Sequence, residues 1–363
     1  MRPLTAEITS YDAPATEEIA RRVGVPVEQI VRFDGNTSPQ ALPSTRAEAL
    51  TEELGRIHTY PHGGYPQLER AIADYAGVAP VNVVLGAGAD DLILLLTRSF
   101  AVPGDRVAIA NDPTYPMFAI SVWVAGATIG DDDPVLTICC RPNNPTGELG
   151  DLPAARPLVV DEAYFEYSGA TAVDLIEDGV VVIRTFSKAF GLAGARVGYA
   201  LAGRDMAVEL NKRQHPAPLS TLSAALALAG LAVPPDVTPI LDERERFSER
   251  LRELGFEPLP SNANFLYVPV DEPQDTYDRL LAQGLAVRPV RGGIRITITS
   301  SSISSTAVSP EYSKYASSTT SGRAAGSWPS SPVGLFGRQQ IVSAGSSSPI
   351  SAPATQTEIA NMG

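Results

Sequence analysis

The sequence predicts an α/β protein with a mostly parallel β-sheet that is flanked by helices on both faces. Strand-like and helix-like segments alternate from residue 82 to residue 199. Two short apolar runs, 135–140 and 157–160, end directly in polar residues, and a glycine-rich turn at 86–89 opens a helical run. Because ligands of open α/β sheets bind at the carboxyl ends of the strands, we expect a functional site at these polar ends.

The remaining elements follow from apolar periodicity and from turn residues. The predicted strands are 82–85, 135–140, 157–160, 264–270 and 294–298. The predicted helices are 15–22, 67–75, 91–100, 219–231 and 242–254, the last with a charged face that we expect to be solvated.

Composition bounds the class of protein. The 363 residues are 44% hydrophobic and 19% charged, which is enough to bury a large core and favours about two domains. The net charge of -13 argues against nucleic acid and anionic membranes as partners, because both require basic surfaces. Anionic small molecules would therefore have to be bound by local arginines.

The cysteines and the chain start indicate a cytoplasmic protein. Cys139 and Cys140 are adjacent in a strand-like run, so their side chains point to opposite faces and do not suggest a disulfide or a metal site. The three histidines lack the spacing of metal ligands, so we expect no metal. The sequence has no basic start with an apolar core and no apolar run long enough to span a bilayer, and free thiols fit a reducing compartment.

Lys188 is the most informative residue of the chain. It lies in the run 185–199, where Arg196 follows it by eight residues within a loop of small residues. A lysine bonds to a carbonyl group only when its amine loses a proton, and a neighbouring cation such as Arg196 disfavours the charged ammonium. Arg196 and the hydroxyls of Thr185 and Ser187 are also suitable donors to a phosphate group.

Two further segments place polar side chains at strand ends. Asp161 and Tyr164 follow the apolar run 157–160, and Asn144 lies in the turn after the run 135–140. A buried carboxylate such as Asp161 keeps a pyridinium nitrogen protonated, and the amide of Asn144 and the phenol of Tyr164 are donors for a ring oxygen. Each segment alone has an ordinary structural explanation. The combination of all three, with Asn144 first, then Asp161 and Tyr164, and then Lys188 and Arg196, does not.

These motifs resemble those of the fold-type I pyridoxal-phosphate enzymes, in the aminotransferase class that includes the histidinol-phosphate aminotransferases. The resemblance covers residues 15–298, and the Phe-Gly-Leu-Ala-Gly run at 190–194 and the pair Tyr60-Pro61 are most similar to the histidinol-phosphate branch. It implies a large domain with a seven-stranded, mostly parallel sheet and a small α+β domain. The implied division is an arm with part of the small domain at 1–35, the large domain at 36–218 and the small domain at 219–298.

The resemblance also implies roles for the cofactor-site residues. Lys188 would be the Schiff-base lysine of pyridoxal 5'-phosphate, Asp161 the partner of the pyridine nitrogen, and Tyr164 and Asn144 the ligands of the ring oxygen. The phosphate ligands would be the backbone amides of Ala89 and Asp90 at a helix N-terminus, with Thr185, Ser187 and Arg196. Tyr115 would stack on the ring, and Tyr60 would reach the phosphate from a neighbouring subunit of a homodimer.

Substrate handling rests on the arginines near residue 290. By the same resemblance Arg295 would bind the carboxylate of the amino or keto acid, and Arg288 would meet the phosphate of histidinol phosphate, with Arg291 as a possible substitute. Tyr11 would line the same pocket from the N-terminal arm.

The implied function is transfer of an amino group from histidinol phosphate to 2-oxoglutarate in histidine biosynthesis. Three alternatives stay open at this point. They are an aminotransferase of aromatic amino acids, a pyridoxal-phosphate-dependent phosphothreonine decarboxylase, and a binding protein that has lost the cofactor.

The tail departs from the resemblance. From Thr299 the composition changes to serine, threonine, alanine and proline with few charges. Such a segment cannot easily bury a core, and nothing in 299–363 resembles the helix that closes the small domain in the family. We expect this tail to be either a disordered appendage or the product of a reading-frame shift.

Overall fold

The computed structural model describes residues 14–38, 50–51 and 53–299. Tyr11 and residues 300–363 of the serine-rich tail lie outside the described residues, so the predictions made for them stay predictions. The strands within the described ranges are β1 (Val31–Arg32), β2 (Val83–Gly86), β3 (Arg106–Ile109), β4 (Thr128–Ile129), β5 (Leu136–Cys140), β6 (Leu158–Asp161), β7 (Val180–Thr185), β8 (Gly198–Leu201), β9 (Phe265–Pro269), β10 (Leu285–Ala286), β11 (Arg288–Val290) and β12 (Gly293–Thr297).

Of the helices in the same ranges, the first precedes β1 and the others follow β1, between successive strands. The helices are α1 (Thr16–Val23), α2 (Pro66–Ala76), α3 (Ala89–Phe100), α4 (Pro116–Ala125), α5 (Phe165–Ser168), α6 (Arg204–Arg213), α7 (Thr221–Ala232), α8 (Thr238–Glu253) and α9 (Pro273–Leu281). Among the described residues, no helix is both long and apolar enough to cross a membrane.

The large sheet has seven strands in the order β2-β8-β7-β6-β5-β3-β4. The pairs from β7 to β4 are parallel, whereas β8 runs antiparallel to both of its neighbours. The predicted seven-stranded, mostly parallel sheet is therefore confirmed. The parallel arrangement brings the ends of β5, β6 and β7 to one edge of the sheet.

Both faces of the large sheet are covered. Alternate residues of β6 point to opposite sides, so Leu158 and Val160 join one apolar cluster while Val159 joins the other. On the first side Leu68 and Ile72 of α2 pack against the sheet, and on the second side the contacts come from α3, α4 and α6. Burial on both faces explains why these strands are continuous apolar runs.

A second, smaller core combines the two ends of the described chain. Phe33 packs with Phe247 and Leu251 of α8 and with Ile294 and Ile296 of β12 in one buried cluster. A three-stranded antiparallel sheet, β11-β12-β9, and the short parallel pair of β1 and β10 form its framework. Residues near position 30 thus pack with the C-terminal part, while the domain boundaries themselves remain a prediction.

Candidate active site

The polar strand ends line one cavity of about 420 Å³, a size typical of small-molecule sites. It opens at the carboxyl edge of β5, β6 and β7, where Asp161 is the register partner of Cys140 and of Ile183. The residues predicted for the cofactor site that line it are Ala89, Asp90, Tyr115, Asn144, Asp161, Tyr164, Thr185, Ser187, Lys188 and Arg196, together with Arg295 of the predicted substrate site.

Lys188 lies in the turn directly after β7, with its side chain half-buried. Its Nζ is 3.5 Å from the carbonyl oxygen of Gly35 and 5.9 Å from the ring centre of Tyr164. Burial lowers the pKa of Lys188 to about 8, and the positive charge of Arg295 acts in the same direction. A neutral amine is therefore accessible near neutral pH.

The cation that helps lower this pKa most is Arg295, not Arg196 as the sequence suggested. Arg196 lowers the pKa of Lys188 less strongly, and Asp90, whose Oδ2 lies 3.2 Å from Arg196 Nη2 in an ion pair, raises it. The two opposite charges therefore offset each other in part at Lys188.

Asp161 is the buried carboxyl group of the site. It is 3% exposed, and its Oδ1 accepts a hydrogen bond from the Ala163 amide at 3.0 Å. Burial raises the pKa of Asp161 to about 7, because the charged form loses its hydration. A carboxyl group in this state gains stability from a cationic partner, which is what a protonated ring nitrogen provides.

Arg295 connects the last strand to the site. It is 7% exposed, its Nη1 donates to Asn144 Oδ1 at 2.6 Å, and its Nη2 donates to the carbonyl oxygen of Asp34 at 2.5 Å. Since the oxygen of Asn144 is engaged by Arg295, the amide nitrogen is the end that remains as a donor toward a ligand.

Glycine backbone forms the end of the cavity where the phosphate is predicted to bind. Gly88, with φ +90°, precedes the first turn of α3, whose residues Ala89 and Asp90 line the cavity. A Cβ on Gly198 would lie 2.8 Å from the Gly88 carbonyl carbon and 2.9 Å from the Ala89 amide nitrogen. The close approach of these two segments therefore requires glycine at position 198.

Side chains complete this donor set. Thr185 Oγ1 donates to Ser187 Oγ at 2.9 Å, and both residues line the cavity beside Arg196. Asp90 also accepts from Tyr115 Oη at 2.8 Å, so its carboxylate is engaged by two donors. A helix N-terminus, two hydroxyls and an arginine form a suitable site for a phosphate dianion, and with Asp161 and Lys188 the residues present fit pyridoxal phosphate.

A buried ion pair links the carboxyl ends of β6 and β7. Glu162 follows Asp161, Arg184 precedes Thr185, and their side chains are 3.0 Å apart with exposed fractions of 0% and 2%. The Arg184 guanidinium also donates to Thr171 Oγ1 at 2.8 Å and lies 3.5 Å from the Phe165 ring centre. The pair therefore fixes the ends of β6 and β7 relative to each other.

Other predicted residues lie away from this cavity. Tyr60 is 81% exposed and lines a separate pocket with Arg56 and residues of α7. Arg291 is exposed and forms an ion pair with Asp112 at 2.8 Å. Arg288 is not among the cavity-lining residues, but it lies opposite Arg295 in the β11–β12 pair, so both side chains leave the sheet on the same face.

Sequence reasoning missed several residues of the cavity, of which Asn36 is the most informative. It is 1% exposed, has φ +51°, and its Nδ2 donates to Tyr164 Oη at 3.0 Å. The signal was weak because the contact joins residues 128 positions apart. The other lining residues that were not predicted are Gly35, Thr37, Met117, Cys140, Ala163 and Ala193.

The fold and the site together define a transferase of the pyridoxal-phosphate class, and comparisons with known proteins narrow this class. The sequence pattern of the family "Aminotransferase class I and II" matches residues 29–131 and 130–307. The chain belongs to this family, whose members depend on pyridoxal phosphate. The predicted family, fold class, cofactor and enzyme class are thereby confirmed.

Individual relatives agree with the family. The histidinol-phosphate aminotransferase of Thermoanaerobacter pseudethanolicus is 34% identical over 311 residues, which cover 74% of this chain and 88% of that protein. The crystal structure of histidinol-phosphate aminotransferase from Sinorhizobium meliloti, in complex with pyridoxal-5'-phosphate, matches with a TM-score of 0.69 and 24% identity over 86% of this chain and 95% of that one.

A decarboxylase shares the same fold. The crystal structure of L-threonine-O-3-phosphate decarboxylase from Porphyromonas gingivalis matches with a TM-score of 0.65 and 18% identity, covering 79% of this chain and 98% of that one. The fold alone therefore does not distinguish the two reactions.

Proposed function

We propose that the chain is a histidinol-phosphate:2-oxoglutarate aminotransferase of histidine biosynthesis that acts through Lys188. The single observation that carries the proposal is the convergence of Lys188, Asp161, Asn144 and Arg196 on one cavity. The identity of 34% to a relative named histidinol-phosphate aminotransferase supports the choice of substrate.

Each cofactor-site residue has a proposed task. When bound, pyridoxal phosphate supplies an electron-withdrawing ring that stabilises negative charge on the carbon beside the amine. Asp161 accepts a hydrogen bond at the ring nitrogen, while Asn144 and Tyr164 donate to the ring oxygen. Tyr115 covers one ring face.

The phosphate is held by the second group of residues. Ala89, Asp90, Ser187 and Arg196 each offer an N–H or O–H group near the N-terminal end of α3. Thr185 donates its hydroxyl proton to Ser187 Oγ in the cofactor-free chain and would exchange that hydrogen bond for one to the phosphate. The proposed phosphate ligands are Ala89, Asp90, Thr185, Ser187 and Arg196.

Lys188 is proposed to move the proton. Once its amine is free, Nζ takes a proton from the substrate carbon and returns it to the cofactor side, which requires the neutral form. Because the pKa of Lys188 in the cofactor-free chain is about 8, roughly one tenth of the amine is neutral at pH 7 and most of it is neutral at pH 9. The rate at which the cofactor-free protein bonds to pyridoxal phosphate should therefore rise from pH 7 to pH 9.

Arg295 is proposed to bind the carboxylate of 2-oxoglutarate and glutamate. It is the arginine of β12 whose guanidinium reaches the cavity, held by Asn144 and the Asp34 carbonyl. Arg288, on the same face of the small sheet, is proposed to meet the phosphate of histidinol phosphate, with Tyr11 from the N-terminal arm nearby.

We further propose a cytoplasmic homodimer. Tyr60 is 81% exposed and distant from the cavity of its own chain, which suits a residue that acts in the neighbouring subunit. The two cysteines are buried and free, as expected in a reducing compartment.

The test is a substrate comparison with cofactor-loaded protein. Histidinol phosphate should convert the bound cofactor to its amine form, as seen by visible absorbance, and 2-oxoglutarate should restore the starting spectrum with release of glutamate. Phenylalanine should react at least about tenfold more slowly, since loss of a charged contact costs about 1.5–3 kcal/mol. Release of CO₂ from phosphothreonine as the main reaction would instead support the decarboxylase.

A further inference from the structure

A buried group of three polar side chains surrounds the phenol of Tyr164. Asn36, Thr297 and Tyr164 are 1%, 2% and 2% exposed. Asn36 belongs to the segment after β1, Thr297 ends β12, and Tyr164 follows β6. The group thus joins the two ends of the described chain to a residue that follows a strand of the large sheet.

The hydrogen bonds within this group have a defined direction. The backbone N–H of Asn36 donates to Thr297 Oγ1 at 3.0 Å, so that contact uses the oxygen of Thr297 as an acceptor. The single hydroxyl proton of Thr297 is then donated to Asn36 Oδ1 at 2.9 Å. With its oxygen engaged in this way, the Asn36 side chain presents its amino end to Tyr164 Oη at 3.0 Å.

The reverse orientation of the Asn36 amide is unfavourable. If the amide were turned over, its amino group would face Thr297 and the buried hydroxyl of Thr297 would lose the acceptor that the described residues give it. Leaving a buried donor unsatisfied costs about 1–3 kcal/mol. The backbone is fixed as well, since Asn36 holds φ +51° and Asn264 Nδ2 donates to its carbonyl oxygen at 3.2 Å.

The consequence concerns the proton of Tyr164. Because the Tyr164 oxygen accepts from Asn36, its own O–H is not used in that contact and remains available as a donor on the cavity side, which Tyr164 lines. We propose that Asn36 and Thr297 are positioning residues. They keep the Tyr164 oxygen as an acceptor from Asn36, so that its O–H is left to donate a hydrogen bond to the ligand in the cavity. This inference rests on the proposed function, in which that ligand is the ring oxygen of pyridoxal phosphate.

Asn36 and Thr297 differ from the residues proposed to contact the cofactor directly. Asn36 and Thr297 act on the ligand only through the phenol, so their effect should vanish when the phenol is absent. It should appear in the proton affinity of the lysine–cofactor bond, because a donor at the ring oxygen stabilises the state in which that bond has lost its proton. A purely structural role would change stability and leave this proton affinity unchanged.

The experiment measures the pH midpoint of the visible absorbance of the cofactor-loaded protein, without substrate. Thr297→Val removes the hydroxyl at nearly constant volume and should raise the midpoint by about one pH unit, since it releases the Asn36 amide to turn and accept from Tyr164. Thr297→Ser keeps the hydroxyl and should leave the midpoint within about 0.3 units of the wild type. Thr276→Val, at a buried threonine of α9, is the matched control for a lost hydroxyl elsewhere.

The dependence on Tyr164 is tested in a double-variant cycle. In a Tyr164→Phe background, Thr297→Val should give no further shift of the midpoint. Asn36→Gly, which accepts the positive φ, is the second variant if Thr297→Val does not fold, and its shift should likewise vanish in that background. An unchanged midpoint in Thr297→Val, or an equal shift with and without the phenol, would overturn the inference.

Failure of the proposed function would look different. If the wild-type protein retained no visible absorbance after incubation with pyridoxal phosphate and removal of the unbound cofactor, the proposed function itself would fall, and the inference with it. If the wild type gives the absorbance change and the variants do not shift it, only the positioning role of Asn36 and Thr297 is refuted.

Discussion

Burial shifts the pKa values of two residues of the cavity, Lys188 and Asp161, in opposite directions. It lowers the pKa of Lys188 to about 8 and raises the pKa of Asp161 to about 7, because each charged form loses hydration in the same cavity. The bound cofactor would relieve both penalties, since it provides a carbonyl for the amine and a cation for the carboxylate. The site is thus less stable alone than with its ligand.

Asp161→Asn should therefore stabilise the cofactor-free chain above neutral pH. The folded-state pKa of Asp161 lies above the ordinary value, so its stabilising contribution is fully present below pH 3.8 and is lost as the pH rises through 7. We expect the variant to be more stable than the wild type by on the order of 1–3 kcal/mol at pH 8 and by much less at pH 4.5, as measured by chemical denaturation.

The same variant should bind pyridoxal phosphate at least about tenfold more weakly, because a neutral amide cannot pair with a cationic ring nitrogen. Asp131→Asn, at an exposed position, is the control and should change neither property. A variant that is less stable than the wild type at pH 8 would show that Asp161 does not carry this burial penalty.

At the level of elements, the site depends on backbone contacts between β8 and the start of α3. Gly198 pairs with Thr185 of β7 and with Gly86 of β2, and it lies against the Gly88–Ala89 peptide. A side chain at position 198 would press on backbone atoms, which cannot move aside as a flexible side chain can. The amides that face the proposed phosphate are set by this contact.

Gly198→Ala should consequently weaken cofactor binding. Overpacking costs about 1–3 kcal/mol, so we expect the dissociation constant of pyridoxal phosphate to rise about tenfold or more. Gly194→Ala is the matched control, because a Cβ at that position meets nothing within 4 Å. Equal affinities of the two variants, measured by equilibrium titration, would contradict this account of the phosphate end.

The whole molecule brings distant segments to one site. Arg295 of β12 reaches Asn144 over 151 positions of sequence and the Asp34 carbonyl over 261 positions. The N-terminal segment and the last described strand therefore complete a site whose other residues lie on the large sheet. In the proposed dimer, Tyr60 would also reach the site from a distance, in this case from the neighbouring subunit.

Subunit mixing tests that proposal. Lys188→Ala and Tyr60→Ala homodimers should each be impaired, whereas a mixed dimer should have one intact site, since the unchanged Tyr60 serves the unchanged Lys188. We expect co-refolded mixtures to regain activity well above the sum of the separate variants. Activity equal to that sum, in mixtures shown by mass spectrometry to contain mixed dimers, would exclude a contribution across the interface.

The parts of the structure that could be predicted are the local ones. The end of β6 at Asp161 follows from an apolar run that stops at a polar residue, the loop that holds Lys188 follows from its small residues, and the glycine-rich start of α3 follows from its turn signal. Such features depend on neighbours in sequence, where periodicity and turn chemistry apply.

The features that were not predicted depend on tertiary contacts. The role of Arg295 in lowering the pKa of Lys188, and the burial of Asn36 beside Tyr164, arise only when β12 and the N-terminal segment meet the large sheet. No local sequence pattern indicates these contacts between distant segments. The antiparallel direction of β8 within a largely parallel sheet is a tertiary feature of the same kind.

The central claim is that the amine of Lys188 bonds to pyridoxal phosphate and moves the proton, and borohydride reduction tests it most directly. Wild-type protein loaded with cofactor and reduced should retain the cofactor after denaturation, on the peptide that contains Lys188. Lys188→Ala should retain none and should lose transamination by at least about a thousandfold. Retention of reduced cofactor by Lys188→Ala, or turnover at an undiminished rate, would contradict the account.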